Sequence, residues 1–279
     1  MKMIDKAGLR CYLSEDNKIV KVSINEYTDI ERTILEENSN DIKDIFYNSY
    51  LCPVDFSMIA KMNNLEQLNI YNKNKVLDIS FVNELKNLQG LQIEKFTGSL
   101  HNKNLAGLVY KWHKKSDISQ SSNIEGIVIS NCSDIERFMS QAKELKKLRK
   151  MIFWGISSPS FPKTEIRLPI NRLEFIRCPK LEDLEELPSS FPNLTHLKFD
   201  HCKNIKDYSP LSKLKDLEEL VILESAPIVD LSFLREIKKL TLLKVGKTKI
   251  TAKNMDILDE ISAELDLLFT GITINGEKC

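Results

Sequence analysis

Four histidines (His101, His113, His196, His201) and six cysteines (Cys11, Cys52, Cys132, Cys178, Cys202, Cys279) are the side chains of this sequence best suited to proton transfer, nucleophilic attack or metal ligation. Their spacing argues against each of these. His196 and His201 flank one short apolar stretch, but not in the His-Glu-x-x-His order that puts two ligands on one helix face. No Cys-x-x-Cys pair occurs, which removes zinc-ribbon and thioredoxin-type sites. A Cys–His nucleophilic couple would need an exposed thiol at Cys202, and the repeat described below turns that residue inward. The Walker loop, the Gly-x-Ser-x-Gly elbow and the dinucleotide-binding fingerprint are absent, and the chain holds only 9 glycines. A protein that is not an enzyme, with no cofactor and no metal, is expected.

The 279 residues carry 40 Lys+Arg against 40 Asp+Glu, are 42% hydrophobic and 29% charged, and read as one or two ordinary globular domains. Zero net charge speaks against a general nucleic-acid binder, which shows a basic excess. The start Met1-Lys2-Met3-Ile4-Asp5-Lys6 leads into no apolar run of a secretory signal, and no stretch approaches the roughly 18–20 apolar residues of a membrane span. A cytoplasmic protein with reduced thiols and no membrane contact is expected.

The elements that position these residues follow from a repeat. Apolar-x-x-apolar-x-apolar occurs at Leu65-Glu66-Gln67-Leu68-Asn69-Ile70 and recurs with starts at 19, 42, 65, 88, 105, 124, 148, 170, 194, 217 and 240. Most separations are 22 to 24 residues; those following 88 and 105 are 17 and 19. Thirteen residues after five of the starts stands an aspartate: Asp55, Asp78, Asp183, Asp207 and Asp230. All but Asp183 continue as Asp-x-Ser, with Ser57, Ser80, Ser209 and Ser232 expected as helix N-caps and Pro210 at a first helical position. Each repeat thus reads as a strand, a turn, and a short helix or 3₁₀ piece running back.

This pattern resembles leucine-rich repeats of the 22–23-residue class, as in internalins and a phosphatase regulatory subunit. The resemblance covers residues 19 to about 250. It implies an α/β solenoid with a curved, parallel concave sheet and short helices or 3₁₀ turns on the convex side, and says little about function. The family places Asn or Cys nine positions into the repeat, pointing inward; Cys132, Cys178 and Cys202 stand there, with Ser225 and Thr248 in related copies. These thiols read as small buried fillers, with metal binding or a stacked Cys178–Cys202 disulfide as the alternatives.

A single domain over 1–279 is expected, capped at both ends. Residues 1–18 supply an N-terminal cap hairpin strand, 19–250 about eleven repeats, and 251–279 a C-terminal cap helix and strand. Residues 29–38 are predicted helical with Ile30, Ile34 and Leu35 inward. At the other end Thr251 is expected to cap a helix carrying Met255, Leu258 and Ile261, before a strand over 265–269. The copies over 88–123 are read as lacking Asp-x-Ser and leave little chain for a convex helix. Ser133 is predicted to cap a stronger helix bearing Ile135, Phe138, Met139, Ala142 and Leu145. Residues 155–169, with Pro159, Pro162 and Pro169, read as an extended return.

Residues between the leucines face outward on the concave side. Val109, Val128, Ile152, Trp154 and Ile176 are apolar where solvated residues are expected, and Phe46, Tyr71 and Trp112 join them as candidate contacts. Arg172, Arg177, His196, Lys198, Asp200 and His201 form a polar margin, and Glu174 is a further candidate contact. Gly90, Gly107 and Gly126 recur at one repeat position, either as a trench for a partner's side chains or as room for Trp112 or Trp154. Residues 94–160 hold 11 Lys+Arg against 6 Asp+Glu, with the run from Lys143 to Lys150 placed on a convex helix. The expected function is a protein-binding scaffold working through its concave face and monomeric when unbound. An immunity or inhibitor protein that occludes a toxin or an enzyme is the specific form. The alternatives are a regulatory subunit positioning an enzyme, and nucleic-acid binding through the basic middle.

Overall fold

The computed structural model describes residues 2–6, 9–25, 28–48, 56–73, 75–251, 256–262, 266–270, 273–274 and 277–278, with backbone alone from 267 onward. Asp55, Met255 and Leu265 lie outside the described residues. The chain divides into two compact units, residues 1–127 with 144–147, and residues 128–143 with 148–279. In both, the three apolar columns of the repeat are buried in every copy, from Ile19, Val22 and Ile24 to Leu240, Leu243 and Val245. Burying a side chain of this size contributes about 1.5–3 kcal/mol, so the columns fix which face of each strand turns inward.

The first unit opens with strands β1 (Lys2–Lys6), β2 (Leu9–Leu13) and β3 (Ile19–Ile24), an antiparallel meander. Then come helix α1 (Asp29–Glu37) and strands β4 (Asp44–Asn48), β5 (Gln67–Tyr71), β6 (Val76–Asp78), β7 (Gly90–Ile93), β8 (Lys95–Ser99), β9 (Gly107–Lys111) and β10 (Ser116–Asp117). From β3 the sheet β3–β4–β5–β7–β9 is parallel. Thr28 and Glu31 cap α1 reciprocally, and Ile34 and Leu35 are buried as expected. Ile30 is exposed instead, because the inward position of the first turn goes to Glu31, whose carboxylate accepts the Thr28 backbone N–H at 2.8 Å.

The short repeats carry strands and no helical turn on their return paths: β8 pairs in parallel with β10 and with β6 of the preceding 23-residue repeat, which also carries a 3₁₀ turn at Ser80–Glu84, in a second sheet. Asp-x-Ser is present here after all, one position early. Asp117 accepts the Ser119 N–H at 3.0 Å. Asparagine amides tie successive turns, Asn64 Nδ2 donating to the Asn40 carbonyl and Asn87 Nδ2 to that of Asn63, each at 2.7 Å; Asn104 and Asn123 make the equivalent bonds to Lys86 and Lys103. Buried Asn72 donates to the carbonyls of Lys75 and Lys95 and accepts from Glu94 N–H at 3.0 Å. It satisfies turn groups that would otherwise be buried without partners.

The division between the units passes through β11 (Gly126–Ser130). The second unit then has α2 (Ile135–Ala142), β12 (Lys150–Trp154), β13 (Arg172–Ile176), α3 (Leu187–Ser190), β14 (His196–Asp200), β15 (Glu219–Leu223), β16 (Leu242–Gly246), α4 (Asp256–Ile261), β17 (Asp266–Thr270), β18 (Thr273–Ile274) and β19 (Glu277–Lys278). Strands β12 to β17 pair in parallel, residue for residue at the repeat spacing. β17 is the predicted final strand, one residue later in sequence. Phe153, Phe175 and Phe199 occupy the same repeat position and stack at 5.6 and 5.4 Å with rings 9° and 7° from parallel. The return over 155–169 contains no helix, and it lodges Phe161 edge-on against Phe153, Phe175 and Phe191.

The capping residues differ from those expected. The serines of Asp-x-Ser open 3₁₀ turns at Ser80–Glu84, Ser209–Lys213 and Ser232–Glu236 without capping through their side chains. The aspartates cap: Asp78, Asp207 and Asp230 accept the serine N–H at 2.8–2.9 Å, and Asp183 does the same for Glu185 at 2.7 Å. A carboxylate reaching two residues ahead accepts this donor without competing for it. Likewise Asp134, not Ser133, caps α2 by accepting the Arg137 N–H at 2.9 Å. The basic run begins at Lys143, just past the end of α2, so it lies in the turn leading to β12 and on that strand's first residue, Lys150, and not on the helix. No helix among the described residues is long and apolar enough to cross a membrane.

Candidate functional site

Strands present alternate residues to opposite faces, so the outward positions of β12 to β16 form three rows across the second unit. Lys150, Arg172, His196, Glu219 and Leu242 align in the first row. Ile152, Glu174, Lys198, Val221 and Lys244 align in the second, and Trp154, Ile176, Asp200, Leu223 and Gly246 in the third. Trp154 is 45% exposed and lies beside half-buried Ile176, with half-buried Ile152 two residues before it on the same strand. Val128, on β11, is also half-buried. Neighbouring strands stand about 4.8 Å apart, so Trp154 and Ile176 form one contiguous apolar surface.

The polar margin is an internally paired network. Arg172 Nε donates to Glu174 Oε1 at 2.9 Å, and Glu174 is buried between Ile152 and Lys198, a correction to its expected exposure. His196 Nε2 lies 3.3 Å from Glu219 Oε1. Lys198 reaches Asp200 at 2.9 Å, and His201 bridges Asp200 at 2.6 Å and Glu224 at 3.0 Å. Burial would raise the Asp200 carboxyl, but the hydrogen bonds from His201 and Lys198 outweigh it and hold it below the usual carboxylate range. The Lys247 ammonium 3.2 Å away does the same for Glu224. Lys150, Arg177 and Lys244, by contrast, have no carboxylate partner among the described residues.

At the end of each strand from β11 to β16 one residue takes the left-handed conformation: Asn131, Gly155, Arg177, His201, Glu224 and Lys247, with φ between 46° and 70°. The first five N–H groups donate to the next strand's last carbonyl; Arg177 N–H reaches Asp200 O at 2.7 Å and Glu224 N–H reaches Gly246 O at 2.9 Å. Asn and Gly adopt this geometry readily, whereas other residues pay about 1–2 kcal/mol. The charged side chains of Arg177, His201, Glu224 and Lys247 are therefore carried along the rim against local preference. Asn131 and Gly155 at the same repeat position were the readable signal of this turn.

In the first unit the candidates do not converge. Phe46 and Val109 are exposed but lie three strands apart in one row, with Asn69 and Gln92 between them. Exposed Tyr71 stands one row over, opposite Asn48. Trp112 is 7% exposed and belongs to the core, a correction that strand alternation explains: Val109 and Lys111 face out, Tyr110 and Trp112 in. Neither tryptophan fills the glycine positions. A Cβ at Gly90 would collide with the Gln67 side chain, at Gly107 it would reach only the Gln89 carbonyl at 3.9 Å, and at Gly126 it would meet nothing within 4 Å.

Cys132, Cys178 and Cys202 are buried free thiols, as is Cys11. Burial pushes Cys132 up to about 12, and a hydrogen bond to Cys178 together with burial pushes Cys202 up. Cys178 and Cys202 donate to the Phe153 and Phe175 carbonyls at 3.6 Å. Ser225 and Thr248 continue this column, Ser225 Oγ accepting from Cys202 N–H at 3.1 Å and Thr248 Oγ1 from Ser225 N–H at 3.0 Å. Buried thiols spent on backbone carbonyls are poor nucleophiles and poor ligands. Among the described residues no group of three or more His, Cys, Asp and Glu side chains could hold a metal.

No protein-family model matches the chain, and no curated protein matches it in sequence. Solved structures do. An internalin (InlF) of Listeria monocytogenes str. 4b F2365 superposes with a TM-score of 0.53 at 17% identity, covering 86% of this chain and 71% of its own. A leucine-rich repeat protein of Leptospira interrogans gives a TM-score of 0.45 at 14% identity, covering 90% and 71%. At such identity the likeness is one of fold. The chain has a leucine-rich repeat fold, α/β, with mostly parallel sheets and short helices and 3₁₀ turns on the return paths.

Proposed function

We propose that the chain is a non-enzymatic scaffold that binds another protein on the outward face of β12 to β16. The observation that carries this reading is Trp154, a large aromatic left 45% exposed beside Ile176 on a sheet whose other outward positions are mostly polar or half-buried. Exposed tryptophans seated in apolar surroundings are the usual anchors of protein interfaces. A sheet held by an unbroken hydrogen-bond ladder loses little entropy on docking. Such a scaffold has no chemistry of its own, so it acts through docking, and occlusion of a toxin or an enzyme is the specific form proposed.

The test begins with the partner recovered from the native host. Trp154→Ala is expected to weaken its binding by about 2 kcal/mol, roughly thirtyfold, with the circular dichroism spectrum unchanged. Equal affinity of the variant overturns the reading. Binding that falls steeply with added salt, and that nuclease abolishes, would instead identify a nucleic-acid contact.

A further inference from the structure

We infer that the partner presents an acidic segment with an apolar anchor to the Trp154–Ile176 surface. This rests on the protein-binding reading above and deepens it by naming the partner's charge. Every outward carboxylate of β12 to β16 already has a basic group of the same chain within 3.3 Å: Glu174 has Arg172, Glu219 has His196, and Asp200 has Lys198 and His201. Glu224 on the rim is held between His201 and Lys247. The charges left over are all positive. Lys150 opens the strand that ends in Trp154, Arg177 directly follows Ile176, and Lys244 lies two strands beyond Lys198; none has a carboxylate partner among the described residues.

Two of these cations thus bracket the apolar pair, one before it on β12 and one after it on the rim. Arg177 adds an independent sign. It sits at φ 50°, in the conformation that Gly155 supplies at the equivalent place one repeat earlier. The long cationic side chain is kept where glycine would relax the backbone. Because the carboxylates are neutralised from within, an incoming cation finds no free anion, whereas an incoming carboxylate finds two free cations flanking an apolar seat. Complementary charge of this kind selects partners and speeds encounter.

The experiment uses the full chain, immobilised, and a phage library of random dodecapeptides, with counter-selection on Trp154→Ala. Peptides that depend on Trp154 are expected to be net negative with at least one large apolar residue. A synthetic peptide of the enriched sequence should bind at least fivefold more weakly to Lys150→Ala and to Arg177→Gly, while the melting temperature of Arg177→Gly is no lower than that of the parent. Trp154-dependent peptides that are neutral or basic overturn the charge assignment and leave the protein-binding reading standing. Absence of any Trp154-dependent peptide overturns both. So does Trp154-dependent binding of a 20-nucleotide oligouridine in place of peptides.

Discussion

In residues 1–127 successive turns are tied by asparagine amides, with Asn64, Asn87, Asn104 and Asn123 each donating to a carbonyl one repeat back. In residues 148–250 one such amide bond, from Asn204 to the Pro179 carbonyl, is joined by the Phe153–Phe175–Phe199 stack, by thiols and hydroxyls bonded to strand ends, and by a charged left-handed rim. The repeat needs only that turn carbonyls find donors and that an inner column be filled. Either amides or rings with small donors satisfy this, so one fold tolerates two chemistries. The consequence for function is uneven. The first unit scatters its exposed aromatics, whereas the second gathers Trp154 and Ile176 beside unpaired cations.

The two tryptophans allow this contrast to be measured, since Trp112 reports on the first unit and Trp154 on the second. The largest effect is expected from Phe175→Ala, which removes the centre of the stack and leaves a cavity; the loss should be about 3–5 kcal/mol. Urea unfolding followed with Trp112→Phe, which leaves Trp154 as reporter, should show it; a loss below about 1 kcal/mol would mean the rings fill space without supporting one another. Asn72→Ala is the counterpart in the first unit. Three hydrogen bonds go and buried turn groups lose partners, at about 2–3 kcal/mol, read with Trp154→Phe, which leaves Trp112 as reporter.

Glycine substitutions sharpen the comparison at smaller magnitude. Gly155→Ala forces φ 70° on an alanine and brings its Cβ to 3.1 Å from Asn131 Oδ1, so a loss of about 1 kcal/mol is expected. Gly126→Ala has open space and no positive φ, and thermal denaturation should find it neutral or up to about 0.5 kcal/mol more stable. Equal losses at both would refute the assignment of the left-handed rim.

A further small effect should be the same in both units. Asp78 and Asp230 are held below the usual carboxylate range by the backbone N–H groups of Ser80 and Ser232. A depressed folded-state value stabilises above the unfolded carboxyl value of about 3.9 and is lost as pH falls through the folded value. Asp78→Ala and Asp230→Ala should each cost about 0.5–1 kcal/mol at pH 7 and nothing near pH 2. A mutational cost independent of pH would assign the aspartates a packing role.

The strands were legible because they are local. Leu65, Leu68 and Ile70 repeat at a spacing that only a strand facing one core explains, and all eleven copies form strands. Capping was half legible. Asp-x-Ser marked the 3₁₀ turns at Ser80, Ser209 and Ser232, but which oxygen reaches which N–H depends on turn geometry, and the aspartates rather than the serines accept the bonds. Among the candidate contacts, Trp154 and Ile176 came together because their positions recur in register. Trp112 was misplaced although its alternation with Lys111 already pointed inward.

What the amino-acid order determined by itself is the repeat: its period, its buried columns, and the face each strand offers outward, all consequences of chain geometry and apolar spacing. What only the tertiary structure decided is which charges remain free. Glu219 and Glu224 look as free in sequence as Lys150, yet His196 and Lys247, each a repeat away, occupy the first two and nothing described occupies the third. Ion pairing acts over a few ångströms in space, and within and between strands that distance is set by folding, not by position along the chain.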